Sequence, residues 1–363
     1  MDRNSYNLNT IPLSDGAFIY DVFPCRRDYI GLVAPYWCVP QVLHAVAPDY
    51  YEPVRATAGL LINDQHVECF VLQDSRKFTL SVLAKLPCEF RDDPMVTVSV
   101  GHRSIPIYPW RPYVNRLAMV TMARYDAPYL AEWITHHADL GFQHFYVYNH
   151  TGERAITAVL QDFGSLATEI VWSGGYAADS AWKEPFLGRD SHCYTQCPQM
   201  MHAALKYGAG WDWMGFFDAD EFLCPMGTMD ILDILAKTEH HLFAEVPWKR
   251  SAALEVQGKW FGTSGHKTLP PGSVRANYLR CEAGHTCGTK CFVQPDTVSG
   301  TAVHCWDVAG QTARVPDNVL RFNHYRAIST FKNRTGRHFN NDWTNAIEDT
   351  SILRITKDLP CHV

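Results

Sequence analysis

Hydrophobic positions change their period part-way along the chain. Up to about residue 113 they fall in short stretches, at 17–22, 54–62, 67–72, 79–83 and 95–100, separated by turn signals such as Asn63-Asp64 and Arg91-Asp92-Asp93-Pro94. No helical period runs through them. Strands at this spacing predict a small all-β, sandwich-like domain over residues 1–113, with Pro106, Pro109 and Pro112 marking a linker at its end.

From Arg116 the pattern is different. An apolar run at 117–122 predicts the first strand of a new sheet. Asp126 then stands where a helix cap belongs, with Pro128 in the first turn. Leu130, Trp133, Ile134, His137 and Leu140 recur at three- and four-residue spacing as a buried stripe, which Gly141 stops. His136 and His137 do not share a face of that helix, so they do not read as a joint metal site, and His137 reads as a core histidine. Strands at 144–148 and 168–172 alternate with helices at 154–163 and 194–207; a helix at 229–236 and a strand at 242–248 follow later. This alternation predicts an α/β domain over 114–363, a mostly parallel sheet with helices on its faces.

Residues 211–225, Trp-Asp-Trp-Met-Gly-Phe-Phe-Asp-Ala-Asp-Glu-Phe-Leu-Cys-Pro, organise that domain. The aromatic run 213–217 predicts a buried strand, and it leads directly into Asp218, Asp220 and Glu221. Carboxyl ends of parallel strands open onto the ligand crevice of such proteins. In extended chain Asp218 and Asp220 share a face, and two such carboxylates suit a hard cation that also holds phosphate oxygens. Asp-x-Asp triplets also occur as plain solvated turns. Here Phe216, Phe217, Phe222 and Leu223 surround the acids, and carboxylates buried among aromatics require a partner.

Composition narrows the choice. The 363 residues are 47% hydrophobic and 13% aromatic, enough for two domains with sizeable cores, and the net charge is −6. That balance argues against a nucleic-acid-binding protein. No apolar run is long enough to span a bilayer and residues 1–15 lack an apolar signal core. The expectation is a soluble polypeptide, cytoplasmic or a Golgi-lumenal domain without its anchor. Twelve cysteines are scattered along the chain; Cys281, Cys287 and Cys291, with His285 between them, match no zinc-finger spacing and read as free thiols or disulfides.

Two further stretches carry candidate chemistry. Lys259-Trp260-Phe261-Gly262-Thr263-Ser264-Gly265-His266 is a Gly-rich loop with aromatic anchors; it suits a sugar acceptor through Trp260, Phe261, Ser264 and His266, with core packing as the plainer reading. Arg321-Phe322-Asn323-His324-Tyr325-Arg326, followed by Lys332, Arg334, Arg337 and His338, is the one basic cluster. It reads either as a solvated helix face or as a clamp on a diphosphate, with His324 completing a metal shell.

Several of these pieces, in this order and spacing, resemble glycosyltransferase family 92. They are Val120-Thr121-Met122-Ala123-Arg124, Tyr129 to Ile134, Leu140-Gly141-Phe142, Tyr148-Asn149, Asp212-Trp213 through Leu223, Phe261 to His266, Lys290 with Gln294-Pro295, His304, and Asn323-His324-Tyr325-Arg326 with Lys332 and Gly336-Arg337. The resemblance covers roughly residues 116–340. It implies a glycosyltransferase A-type, Rossmann-like mixed sheet, a UDP-hexose donor (most often UDP-galactose), a glycan acceptor, a divalent cation (Mn2+, or another such as Mg2+), and inversion at the anomeric carbon. Carried over, Asp218 and Asp220 form the metal motif, with His324 the first choice of additional ligand and His304 the second. Thr121, Arg124, Asp126 and Asn149 fall at strand ends expected to hold the nucleotide. Asp126 departs from the commoner Glu, and Asn149 from a frequent acid.

The mechanism expected is in-line attack by an acceptor hydroxyl, with the cation and Arg326, Lys332 or Arg337 neutralising the departing diphosphate. Glu221 and Glu282 are the candidate bases. The rival readings are a retaining transferase or sugar-nucleotide hydrolase on the same scaffold, a non-catalytic carbohydrate-binding protein, and a metal-dependent phosphodiesterase.

Overall fold

A computed structural model describes residues 5–7, 11–12, 18–25, 29–35, 56–72, 79–90, 95–100, 103–107, 115–150, 152–172, 193–235, 238, 251–325, 328 and 342–355. The strand expected at 242–248 and the basic residues Arg326, Lys332, Arg334, Arg337 and His338 lie outside them.

The first part of the chain supplies β1 (Ser5–Asn7), β2 (Ile11–Pro12), β3 (Phe18–Ile19), β4 (Asp21–Cys25), β5 (Tyr29–Pro35), β6 (Ala56–Ile62), β7 (Gln65–Leu72), β8 (Thr79–Lys85), β9 (Val96–Val100) and β10 (Arg103–Ile107). Seven of these form one antiparallel sheet in the order β10-β9-β6-β7-β8-β5-β4. Its end strands approach each other, so the sheet curls around Val22, Leu32, Ile62, Val82 and Val98. A sandwich of two facing sheets is therefore corrected to a single curled sheet; alternation along each strand marks which residues point inward but not whether successive hairpins stay in one sheet. Pro106, expected in a linker, lies in β10, and it is accommodated because β10 is an edge strand. β1 leaves this sheet and pairs parallel with a strand of the second one.

The second part begins with β11 (Asn115–Ala123), α1 (Ala127–Asp139), β12 (His144–His150), α2 (Arg154–Gln161), β13 (Ala167–Trp172), α3 (Cys193–Tyr207), β14 (Trp211–Phe216) and β15 (Glu221–Pro225). It continues with β16 (Ser251–Trp260), α4 (Val274–Asn277), β17 (Arg280–Cys281), β18 (Thr289–Val293), β19 (Val298–Ala302), β20 (Cys305–Val308), β21 (Gln311–Arg314), β22 (Leu320–His324) and β23 (Ile347–Glu348). Ten strands form a mixed sheet, β1-β13-β12-β11-β14-β18-β16-β22-β15, with β21 beside β16. β1, β13, β12, β11 and β14 are parallel neighbours. From β14 onward the pairing is mixed.

Burial explains the layering. One face of the sheet packs Leu117, Met119 and Phe145 against Leu130, Trp133 and Ile134 of α1 and Ile156 of α2. Full burial of side chains of this size contributes roughly 1.5–3 kcal/mol each. The other face packs Val120, Tyr148 and Phe216 against Met200, Met201 and Ala204 of α3, whose far side meets Phe23 and Val33 of the curled sheet and Tyr20 just before it. α3 is thus held between the two sheets.

Candidate active site

β11 is followed outward by β12 and β13 on one side, and the chain then crosses to place β14 on the other. The gap beyond the carboxyl ends of β11 and β14 is therefore a topological switch point, where an open α/β sheet forms its ligand crevice. Phe217 continues β14 and donates its N–H to the Val120 carbonyl at 3.2 Å. Asp218, Ala219, Asp220 and Glu221 then turn the chain into β15, closed by the Glu221 N–H donating to the Asp218 carbonyl at 3.0 Å.

β15 is buried but lies at the end of the sheet, and backbone groups on its outer side are satisfied by side chains of α1. Trp133 Nε1 donates to the Glu221 carbonyl at 2.8 Å, His136 Nε2 lies 2.7 Å from the Leu223 carbonyl, and the Leu223 N–H donates to His137 Nε2 at 3.2 Å. Both histidines are fully buried. Burial, with Arg275 adding to it, pushes His136 down to about 3, and burial likewise pushes His137 well below the histidine range. They act as neutral hydrogen-bonding groups; His136 joins His137 in the core.

His324 reaches the acids through strand register. In β22 it is paired with Glu221 of β15 on one side and Trp260 of β16 on the other. Its Nε2 is 3.6 Å from Asp220 Oδ1, and its Nδ1 is 3.3 Å from Glu221 Oε1 and 3.6 Å from Cys287 Sγ. The Trp260 ring stacks on it at 4.4 Å. Burial alone would lower the His324 pKa, but Asp220, Cys287 and Glu221 outweigh it and raise it well above 6.5.

Two residues not singled out for a role complete the site. Lys290 of β18 places Nζ 2.6 Å from Asp218 Oδ2 and 3.5 Å from Glu221 Oε2. Gln196 of α3 donates Nε2 to Asp218 Oδ1 at 2.8 Å. The Asp218 N–H donates to Glu221 Oε2 at 3.0 Å. Glu221 is 1% exposed while the Asp218 side chain is 33% exposed. Burial raises the Glu221 pKa to about 7 against the opposing pull of Lys290. A lone lysine in the otherwise buried strand Thr289–Val293 was the readable signal for Lys290; nothing in α3 distinguishes Gln196 before the fold is known.

The other candidates divide between crevice and framework. Thr121 is buried near the end of β11, and its Oγ1 has no hydrogen-bond partner among the described residues. Arg124 lies at the same end, its guanidinium 5.2 Å from the ring of Tyr125, which is exposed and has φ of 62°. Asp126 occupies the cap position of α1 without a side-chain capping bond; its carboxylate accepts instead from the Arg124 N–H at 2.6 Å and from the Tyr129 hydroxyl. Asn149 is fully buried, with its amide engaged by Glu169 Oε1 at 2.6 Å and by the Glu153 backbone.

Glu282 accepts from the N–H groups of Trp260 and Thr286 and from the Thr286 hydroxyl, and so braces the turn after β17. Phe261 is buried against Tyr325. Ser264 Oγ accepts from Arg280 N at 2.9 Å, and His266 Nε2 lies 3.1 Å from the Asn277 carbonyl. His304 Nδ1 lies 2.9 Å from the Thr289 carbonyl, one residue from Lys290. Cys281, Cys287 and Cys291 are buried, and the Cys291 thiol donates to the His304 carbonyl at 3.5 Å.

The donor set was compared with the needs of a divalent cation. Among the described residues no three His, Cys, Asp or Glu side chains form a group that holds a metal ion by themselves. Ions such as magnesium take one or two carboxylates and draw the remaining ligands from substrate phosphates and water. Asp218 and Asp220 fit that partial role, and His324 beside them would join it only after giving up its proton, since a histidine ligates as the neutral imidazole.

An acid-tipped parallel strand at a switch point defines an α/β protein with a crevice lined by Thr121, Gln196, Asp218 and Lys290. The family profile of glycosyltransferase family 92 matches residues 119–360, two thirds of the chain. The chain belongs to glycosyltransferase family 92. It is 25% identical over 225 residues to a glycosyltransferase family 92 protein of Oryza sativa subsp. japonica (60% of this chain, 34% of the relative). It is 26% identical over 249 residues to one of Ricinus communis (64% and 39%), and 24% identical over 228 residues to one of Arabidopsis thaliana (60% and 36%). The chain thus spans little more than a third of the length of these relatives. Among the described residues no helix is long and apolar enough to cross a membrane.

Proposed function

We propose that the chain adopts the glycosyltransferase A-type architecture and moves a hexose, galactose first among the candidates, from a UDP-sugar to a glycan hydroxyl with inversion. The observation that carries this reading is the acidic turn at the switch point, where the partly exposed Asp218 stands beside Asp220, His324 and Lys290. Family membership supports sugar transfer; UDP, galactose and inversion rest on the family resemblance.

Asp218 and Asp220 would hold a divalent cation, Mn2+ or Mg2+, with His324 as additional ligand and His304 as the second choice. Bound there, the cation supplies positive charge to the donor diphosphate. Thr121 and Arg124, at the end of β11, stand on the nucleotide side. Arg326, Lys332 and Arg337 are retained as the diphosphate clamp. Trp260, half-buried and stacked on His324, forms an aromatic wall for the acceptor sugar. Glu221 and Glu282 both have their carboxylates engaged by neighbouring groups, which favours them as supports of the site over contacts to substrate.

The test is a panel of UDP-sugars with glycan acceptors, read by released UDP, with product configuration read by NMR. Asp218→Ala and Asp220→Ala are each expected to reduce transfer by about a hundredfold or more, the scale of a lost electrostatic contact to the reacting group. Near-normal transfer by either variant with metal present would overturn the reading. Manganese-dependent UDP binding by calorimetry separates it from a carbohydrate-binding protein, which has no need of UDP.

A further inference from the structure

We propose that Lys290 is a resident counter-ion of the acidic turn: its ammonium competes with the divalent cation for Asp218, and on release from Asp218 it binds the donor's diphosphate. The inference rests on the reading of the site as a metal and nucleotide-sugar site.

Strand register puts the ammonium there. β18 runs antiparallel to β14 with Cys291 opposite Phe216, so Lys290 lies beside the point where Phe217 and Asp218 leave the sheet. The side chain is 3% exposed. An ammonium that deeply buried is tolerated only with carboxylate partners, and it has two, Asp218 Oδ2 at 2.6 Å and Glu221 Oε2 at 3.5 Å.

The geometry makes the two cations rivals. Asp218 Oδ1 is engaged by Gln196 and Oδ2 by Lys290, so a divalent ion at Asp218 must displace or share one of these contacts. It also meets like charge in a site of low dielectric, where repulsion is strong. Lys290 lines the same small cavity as Asp218, Gln196, Gln199 and Met122. An ammonium released from Asp218 there needs an anionic partner, and a diphosphate supplies one. Nucleotide and cation then favour each other's binding, with Lys290 passing from carboxylate to phosphate.

The two ligands should respond to Lys290 with opposite signs. For Lys290→Gln, Mn2+ affinity without nucleotide, measured by calorimetry or electron paramagnetic resonance, is expected to rise by about tenfold. Metal-free UDP affinity is expected to fall by about tenfold. Lys290→Arg should bring both back towards the wild-type values. A merely structural lysine would weaken both ligands together, and that result for Lys290→Gln overturns the proposal.

If Lys290→Gln does not fold, Asp218→Asn decides. It should lose Mn2+ binding yet bind metal-free UDP more tightly, because the ammonium is freed; weaker UDP binding overturns the proposal. A wild-type protein that binds neither Mn2+ nor UDP overturns the parent reading as well. Wild-type binding with same-sign shifts in the variants overturns only the role of Lys290.

Discussion

Asp21→Asn tests whether the N-terminal sheet braces the helix that carries Gln196. Asp21, in β4, is fully buried, with Oδ2 2.7 Å from Lys206 Nζ and 2.8 Å from His202 Nε2, both on α3. The other ring nitrogen of His202 is 2.5 Å from the Tyr148 hydroxyl. Burial alone would raise the Asp21 pKa, but Lys206 and His202 outweigh it and hold it below 3.8. Its contribution to stability is therefore present above the unfolded pKa and lost as pH falls through the folded one.

Asparagine keeps the shape and removes the charge, leaving the Lys206 ammonium buried without this carboxylate. Breaking one side of a buried ion pair costs about 3–5 kcal/mol, a fall in melting temperature of roughly 4–7 °C for a chain of 363 residues. Adding Lys206→Met replaces the remaining charge with an apolar chain of similar length and should restore most of the loss, since such replacements are often neutral. Urea unfolding followed by tryptophan fluorescence measures both variants. A single variant within about 1 kcal/mol of wild type, or a double variant no more stable than the single, would refute the bracing role.

Three other outcomes are expected. His136, at about 3, His144 and His202, each at about 4, and His137, well below 6.5, are all lowered, chiefly by burial. The unfolded state therefore binds more protons below pH 6.5, and stability should fall by up to about 1.4 kcal/mol per pH unit for each histidine; a melting temperature unchanged from pH 7 to 5 would contradict this. At Gly258 an added Cβ would lie 2.4 Å from the Phe322 ring and 2.6 Å from Cys287 Sγ, so Gly258→Ala should destabilise by about 1–3 kcal/mol in urea unfolding. At Gly262 an added Cβ would lie 2.6 Å from the Thr344 carbonyl oxygen. Gly262→Ala should loosen the 342–345 turn, read as faster amide exchange at Ser264, whose N–H donates to Asn345 Oδ1.

Local pattern accounts for much of the second part of the chain. The apolar stripe of α1, the aromatic run of β14 and the strands flanking α2 are legible because each element buries a face set by its own period. The sequence likewise marks Asp218 and Asp220, since acids following a buried aromatic run need an explanation from local chemistry alone. No expected strand covers β5, and the proline-rich linker is extended into β10 because Pro106 reads as a breaker until the strand is seen at an edge.

What only the tertiary structure decided is which distant groups meet those acids. Antiparallel register brings Lys290 to Asp218 across 72 residues, and the β15–β22 pairing brings His324 beside Glu221. Packing of α3 between two sheets turns Gln196 toward Asp218, while α1 turns Trp133, His136 and His137 onto the outer side of β15. None of these encounters has a local period to announce it: each follows from strand order and register, which depend on how the whole core closes. The sequence by itself determined where the acids are and that they sit at the end of a strand. The fold determined that two carboxylates there share one buried ammonium.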